Sequence, residues 1–138
     1  MRYLAIDLGG RRTGLAVGDD RTRTVSPAGV IEQPPGEHLI HAVEKAVRDY
    51  QPGALVIGLP LNMDESEGES AKQARELGKQ IAAATKLPVH YQDERLTSFA
   101  ADARMARSGR THKQKKQIRD AIAAVEILRD FLDEAAES

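Results

Sequence analysis

Apolar and polar positions divide this chain into short runs separated by turn residues. Tyr3 to Asp7 is a compact apolar run without helical period, closed by Gly9-Gly10-Arg11-Arg12 and resumed over Gly14 to Gly18. Two such runs joined by glycines predict a β-hairpin. After Asp19-Asp20, the segment Ala28 to Glu32 predicts a third strand, and Pro34-Pro35-Gly36 then punctuates the chain. Leu39, Ile40, Val43, Val47 and Tyr50 recur at helical spacing up to Gln51-Pro52-Gly53. The unbroken apolar run Ala54 to Leu59, closed by Pro60, suits a strand covered on both faces. Ala71, Ala74, Leu77, Ile81 and Ala82 mark a second amphipathic helix, and Val89 to Gln92 a fifth strand that delivers Asp93 and Glu94 to its end. Thr97 is placed to cap a helix reaching about Arg107, broken at Ser108-Gly109-Arg110. A last helix carries Ile118, Ile122, Val125, Leu128 and Leu132 on one side.

The order is therefore β-β-β-α-β-α-β-α-α, an α/β fold. It predicts a five-stranded mixed sheet, three antiparallel strands followed by parallel crossovers, flanked by helices, in a single domain over 1–138. Ligands of such sheets gather at the carboxyl ends of the parallel strands. Asp7 ends strand one and Asp93-Glu94 end strand five, so they meet if strands one, four and five are neighbours.

Composition narrows the class. The 138 residues are 41% hydrophobic and 30% charged, typical of a globular domain with a real core. No apolar stretch reaches the roughly 20 residues that span a membrane, and Met1 runs straight into a strand with no signal-peptide pattern. The absence of cysteine excludes disulfides, thiolate-held zinc and cysteine nucleophiles. A cytoplasmic, non-membrane protein is expected. The four histidines show no metal-ligand spacing. The net charge of −1 hides an asymmetry: between Asp102 and Asp120 there is no acid, but there are Arg104, Arg107, Arg110, Lys113, Lys115, Lys116 and Arg119. A solvated helix face is one reading of that segment, and a surface for phosphates is the other.

Asp7 is the only acid between Met1 and Asp19, and it stands where a strand should be buried. Three readings compete: a turn residue, the aspartate of a nucleotide phosphate loop, and a catalytic metal ligand. The second is the weakest. The glycine turn resembles the first phosphate loop of actin and sugar-kinase ATPases, but a second aspartate-glycine loop, a second lobe and a G-x-x-x-x-G-K-[ST] motif are all missing. The third has a chemical logic. Phosphodiester hydrolysis by two hard cations requires carboxylate ligands on rigid elements. Asp7 and Glu94 on strand ends meet that demand, and Asp120, on the last helix after the basic segment, is the candidate third. Each also has a structural alternative: turn amides for Asp7, Arg95 for Glu94, Lys116 for Asp120.

Three blocks carry a resemblance. Asp7-Leu-Gly-Gly-Arg-Arg-Thr-Gly14, Gly58-Leu-Pro-Leu-Asn-Met63 with Ser66-Glu-Gly68, and Asp93-Glu-Arg-Leu-Thr97 resemble the hallmark blocks of the YqgF/RuvX family, in order and at fitting spacing from Met1 to about Leu132. Ser98 replaces an expected threonine, and Glu65 and Glu69-Ser70 vary the loop after Met63. The resemblance implies an RNase H-like fold and a nuclease that trims the 5′ end of precursor small-subunit ribosomal RNA, with Holliday-junction resolution or non-catalytic ribosome assembly as alternatives. It implies Asp7, Glu94 and Asp120 as catalytic and metal-holding residues, with Asp93 sharing or replacing Glu94, and two Mg²⁺ or Mn²⁺ ions. Precursor rRNA or branched DNA would be the substrate, ribosomal particles possible partners in the sense of that role, and the chain a monomer or homodimer. Around those acids, Arg11 and Arg12 on the turn, Arg95, and the segment through Arg107, Arg110, Lys113, Lys115, Lys116 and Arg119 are candidates for phosphate contact without sequence readout. Gly58, Pro60 and Asn62 are expected on the cleft floor, Asn62 either positioning substrate or water or capping a turn.

Overall fold

The computed structural model describes residues 1–62, 64, 66–94 and 112–137, without the side chains of 112–120 and 137. Its elements are β1 (Arg2–Gly9), β2 (Arg12–Asp19), β3 (Val25–Ile31), α1 (Glu37–Tyr50), β4 (Ala54–Leu59), α2 (Glu69–Thr85), β5 (Val89–Asp93) and α3 (His112–Glu137). The helix expected from Thr97 to about Arg107, and the break at 108–110, lie outside the described residues.

The sheet order is β3-β2-β1-β4-β5. β1 pairs antiparallel with β2 and parallel with β4, and β4 pairs parallel with β5. β1, β4 and β5 are thus adjacent and end at the same edge. The β1–β2 connection is a two-residue loop, Gly10-Arg11, closed by the Gly9–Arg12 pair. Gly10 takes a positive φ of 47° and Arg11 does not, the pattern of a II′ turn, which wants glycine at its first central position. The third strand starts three residues earlier than its apolar run, at Val25. A register shift against Leu15 and Ala16 falls among Pro27, Ala28 and Gly29. Proline and a bulge are tolerated because this strand lies at the sheet edge.

Strand alternation sends one set of side chains to each face. Leu4, Ile6, Leu15, Leu55 and Ile57 join Leu39 and Val43 of α1 and Leu77 and Ile81 of α2 in one core. Ala5, Ala16 and Val56 pack on the other face against Ala124, Val125, Ile127, Leu128 and Leu132 of α3. All six residues of β4 are buried, as its unbroken apolar run requires. α1 and α2 end in the same way: Gln51 and Lys86 adopt the left-handed conformation and return their N–H groups to Val47 and Ala82. Pro52 then prevents α1 from continuing.

α3 runs against β1. Phe131 lies beside Tyr3 near the start of the strand, and Arg23 pairs with Asp133 at 2.6 Å. The amino-terminal part of α3 is therefore directed toward the carboxyl end of β1, where Asp7 lies. No described helix is long and apolar enough to cross a membrane.

Candidate active site

Asp7 belongs to the α3 face, in alternation with Ala5 and opposite to Ile6. Beyond the last β1–β4 pair, Ile6–Ile57, the next residues are Asp7 and Gly58, and Gly58 pairs in turn with Gln92 of β5. The β4–β5 ladder continues one step past Asp93, because the Glu94 N–H donates to the Leu59 carbonyl at 3.2 Å. That bond fixes the backbone from which the Glu94 side chain crosses the sheet edge.

The side chain crosses over Gly58. A Cβ built on Gly58 would stand 2.5 Å from Glu94 Oε2 and 2.5 Å from Ile127 Cδ1. The missing methyl is the space the carboxyl occupies. Beyond Gly58, Glu94 hydrogen-bonds the Asp7 carboxyl. Two acids from the ends of β1 and β5 are thus brought into contact across β4.

Such a pair cannot carry two charges in a half-buried site without a cation. The Glu94 carboxyl is pushed up to about 9, first by burial, then by the charge of Asp7 and the hydrogen bond with it, and last by Asp93. In the metal-free protein the pair holds one shared proton near neutral pH. The donor set of hard carboxylate oxygens on rigid strand ends suits Mg²⁺ or Mn²⁺, whose charge would replace that proton.

Among the described residues, no group of three or more His, Asp or Glu is placed to hold a metal, so the acids described at the site are the Asp7–Glu94 pair with Asp93 contributing its charge. Residue 120 lies in α3, one turn before Ala124 and two turns before Ile127, the residue that touches the Gly58 site. The backbone carries it toward the same sheet edge, and its side chain lies outside the described residues. Of the two acids of the third block, Glu94 hydrogen-bonds Asp7, and Asp93 adds its charge beside it.

Of the candidate phosphate contacts, Arg11 is exposed at the hairpin tip and Arg12 is half-buried beside it. Arg95, Arg107 and Arg110 lie outside the described residues. Lys113, Lys115, Lys116 and Arg119 occupy the first turns of α3, with side chains outside the description. Asn62 bonds within its own loop: its N–H donates to the Ser66 carbonyl at 2.9 Å and its Nδ2 to Ser66 Oγ at 3.0 Å. Pro60 lines a cavity on the opposite face. Sequence reasoning missed why Gly58 is glycine. The signal was available, since a glycine inside a buried strand marks a close approach.

A family model described as "RuvX: Holliday junction resolvase" matches residues 1–134. A relative from Anaeromyxobacter sp. (strain Fw109-5), named "Putative pre-16S rRNA nuclease", is 42% identical over 133 residues, covering 96% of this chain and 97% of its own. In solved structures, RuvC of T. thermophilus in complex with a Holliday junction substrate is similar at a TM-score of 0.61 and 18% identity, covering 100% of this chain and 97% of that one. The Fowlpox virus resolvase in complex with junction DNA is similar at 0.61 and 10% identity, covering 98% and 99%. At those identities the structures speak for the fold, which is that of the RNase H-like resolvases.

Proposed function

The chain belongs to the RuvX (YqgF) family, and from that premise we propose that it is a metal-dependent nuclease whose substrate is the precursor of 16S ribosomal RNA. The observation that carries the chemistry is the Asp7–Glu94 contact over Gly58: two carboxyls held in hydrogen-bond contact at the ends of rigid strands. Near-full-length relatives at 40% identity and above carry the substrate.

Asp7, Glu94 and Asp120 would hold two Mg²⁺ or Mn²⁺ ions, with Asp93 adding negative charge beside them. When bound, the ions supply an activated water and charge stabilisation of the leaving oxygen. The chain's own contributions are separable. The Leu59–Glu94 backbone bond orients Glu94, Ile127 packs beside Gly58, and Glu94 would give up its proton on holding a cation. Arg11 at the hairpin tip is the described cation best placed to meet a phosphate near Asp7, and the basic stretch through α3 would hold the backbone beyond it. Such contacts position the strand without reading it. The work of the protein is cytoplasmic, where the ribosomal precursor is processed.

Cleavage of precursor 16S rRNA, a plain single strand and a four-way junction in Mg²⁺ and Mn²⁺, by wild type and Asp7→Asn side by side, tests the reading. Metal-dependent cutting of the precursor that disappears in Asp7→Asn is expected. Preference for the junction would move the substrate to branched DNA, the reading favoured by the family description. Binding without cutting would make the chain an assembly factor.

A further inference from the structure

The same sheet edge has a second concavity, on the face away from the acids. A cavity of about 480 Å³ lies between the β1–β2 turn, the start of α1 and the exposed side of α2. Its volume is that of a site for one small ligand (about 300–1,000 Å³). Its walls are apolar, from Leu8, Leu39 and Leu77 with Pro35 and Pro60. Among the described residues, its polar groups are hydroxyls and amides, from Thr13, Ser70, Gln73 and Gln80, and the one charged side chain lining it is the acid Glu76. Gln73, Glu76 and Gln80 recur at helical spacing, so one side of α2 presents all three.

Thr13 marks this cavity as more than a surface irregularity. It is 1% exposed, it lines the cavity, and its Oγ1 has no hydrogen-bond partner among the described residues. A buried hydroxyl left without a partner is costly and calls for an explanation.

The chemistry selects the occupant. With no lysine or arginine among the described lining residues and a carboxylate on one wall, the cavity is poorly suited to a phosphate. Glutamine amides, hydroxyls and an acidic acceptor between aliphatic walls suit a flat, neutral group with donors and acceptors on its edge. A nucleobase is such a group: glutamine pairs with adenine edges, and acids accept from amino groups. The distance fits as well. Asp7 and Leu8 are chain neighbours on opposite faces, and three residues from Asp7 to Gly10 span at most about 10 Å.

We propose that this cavity receives one unpaired base of the substrate strand, a nucleotide or two from the phosphate held at Asp7 and Glu94, with the strand crossing the sheet edge over the Gly9-Gly10 turn. The inference rests on the nuclease reading for its substrate and adds to it a requirement. Lifting a base out of a duplex is costly, and least so in single strands. The enzyme therefore prefers a site with an unpaired nucleotide beside the scissile phosphate.

The test is an abasic walk. A single abasic residue is moved along a short single-stranded RNA, and binding to wild type and to the Gln73→Ala/Gln80→Ala variant is measured by anisotropy in metal-free buffer. Both glutamines are exposed on α2, so the variant is expected to fold, and a matching thermal melt checks it. The same oligonucleotides are then cleaved in Mn²⁺. Expected is a loss of about tenfold in wild-type affinity at one position only, with that loss absent from the variant. A flat walk alongside metal-dependent cleavage would overturn the cavity and leave the nuclease standing. A position-specific loss without cleavage would keep the cavity and overturn the nuclease. A variant with the same position-specific loss as wild type would also overturn the cavity, because the base would then bind elsewhere.

Discussion

Asp7 and Leu8 are consecutive residues, yet they serve two sites of opposite character. On the α3 face, carboxyls are compressed against each other over a glycine and remain together by retaining a proton. On the α1–α2 face, the cavity groups among the described residues are neutral except for Glu76, and the Thr13 hydroxyl finds no partner among them. Period-two alternation is the reason a single strand end can build both. On the proposed reading, the acidic face would be completed by cations and the neutral face by a hydrogen-bonding ligand. A substrate strand that offers phosphate to one and a base to the other would satisfy the two faces together.

The largest effect should come from breaking the acidic face. Asp7→Asn removes a charge on which the site depends, and cleavage should fall by more than about 100-fold, beyond what losing an outer partner of a metal ligand costs. Single-turnover rates at saturating Mn²⁺ measure this. Base-dependent binding at the neutral face should survive the substitution. Equal loss at both faces would mean that the variant disturbs the fold and not the site.

Gly58→Ala sharpens the same comparison without touching a charge. The added methyl would stand 2.5 Å from both Glu94 Oε2 and Ile127 Cδ1, so one of them must move. Overpacking of this kind costs about 1–3 kcal/mol. A displaced Glu94 should lower the cleavage rate by roughly 10–100-fold. Urea melts and rates together distinguish the two costs. Wild-type activity in this variant would show that Glu94 need not lie over Gly58.

The shared proton makes a prediction about pH with a definite sign. Glu94 is raised from its ordinary value of 4.5 to about 9, so in that window the folded metal-free protein binds more protons than the unfolded chain. Stability in EDTA should therefore fall as pH rises from about 4.5 to about 9, then level off. Glu94→Gln keeps the shape of the protonated side chain and should flatten that slope while abolishing cleavage. Mn²⁺ should stabilise the wild type more at pH 8 than at pH 6, because entry of the cation displaces a proton. A metal-free stability that rises through this window would contradict the shared proton.

Most of this architecture is legible in the chain because its signals are local. Ala54 to Leu59 is apolar throughout and is buried throughout, and the helical spacing of Leu39, Val43, Leu77 and Ile81 identifies residues that close one core. Asp7 and Glu94 stand out for a similar reason, as acids at the ends of apolar runs. What one-dimensional reading misses are relations between distant residues. Gly58 is a glycine on account of Glu94, 36 positions later, and Gly78 leaves room for the Tyr91 hydroxyl. The cavity was invisible because its members come from β1, β2, α1 and α2, and each looks ordinary alone. Thr13 in particular reads as one more β-branched strand residue.

That residue supplies the smallest effect and the finest test of the difference between the faces. Thr13→Val replaces an unpartnered hydroxyl with a methyl at a position 1% exposed, in a strand where valine is equally at home. The free protein should gain about 1 kcal/mol, since removing an unsatisfied buried group recovers its desolvation cost. If the hydroxyl serves a base, the same substitution should weaken binding of single-stranded RNA and leave an abasic ligand unaffected. Stability and affinity would then move in opposite directions. A loss of stability in Thr13→Val would mean that the hydroxyl is satisfied within the fold, and the neutral face would lose the contact that distinguishes it from plain packing.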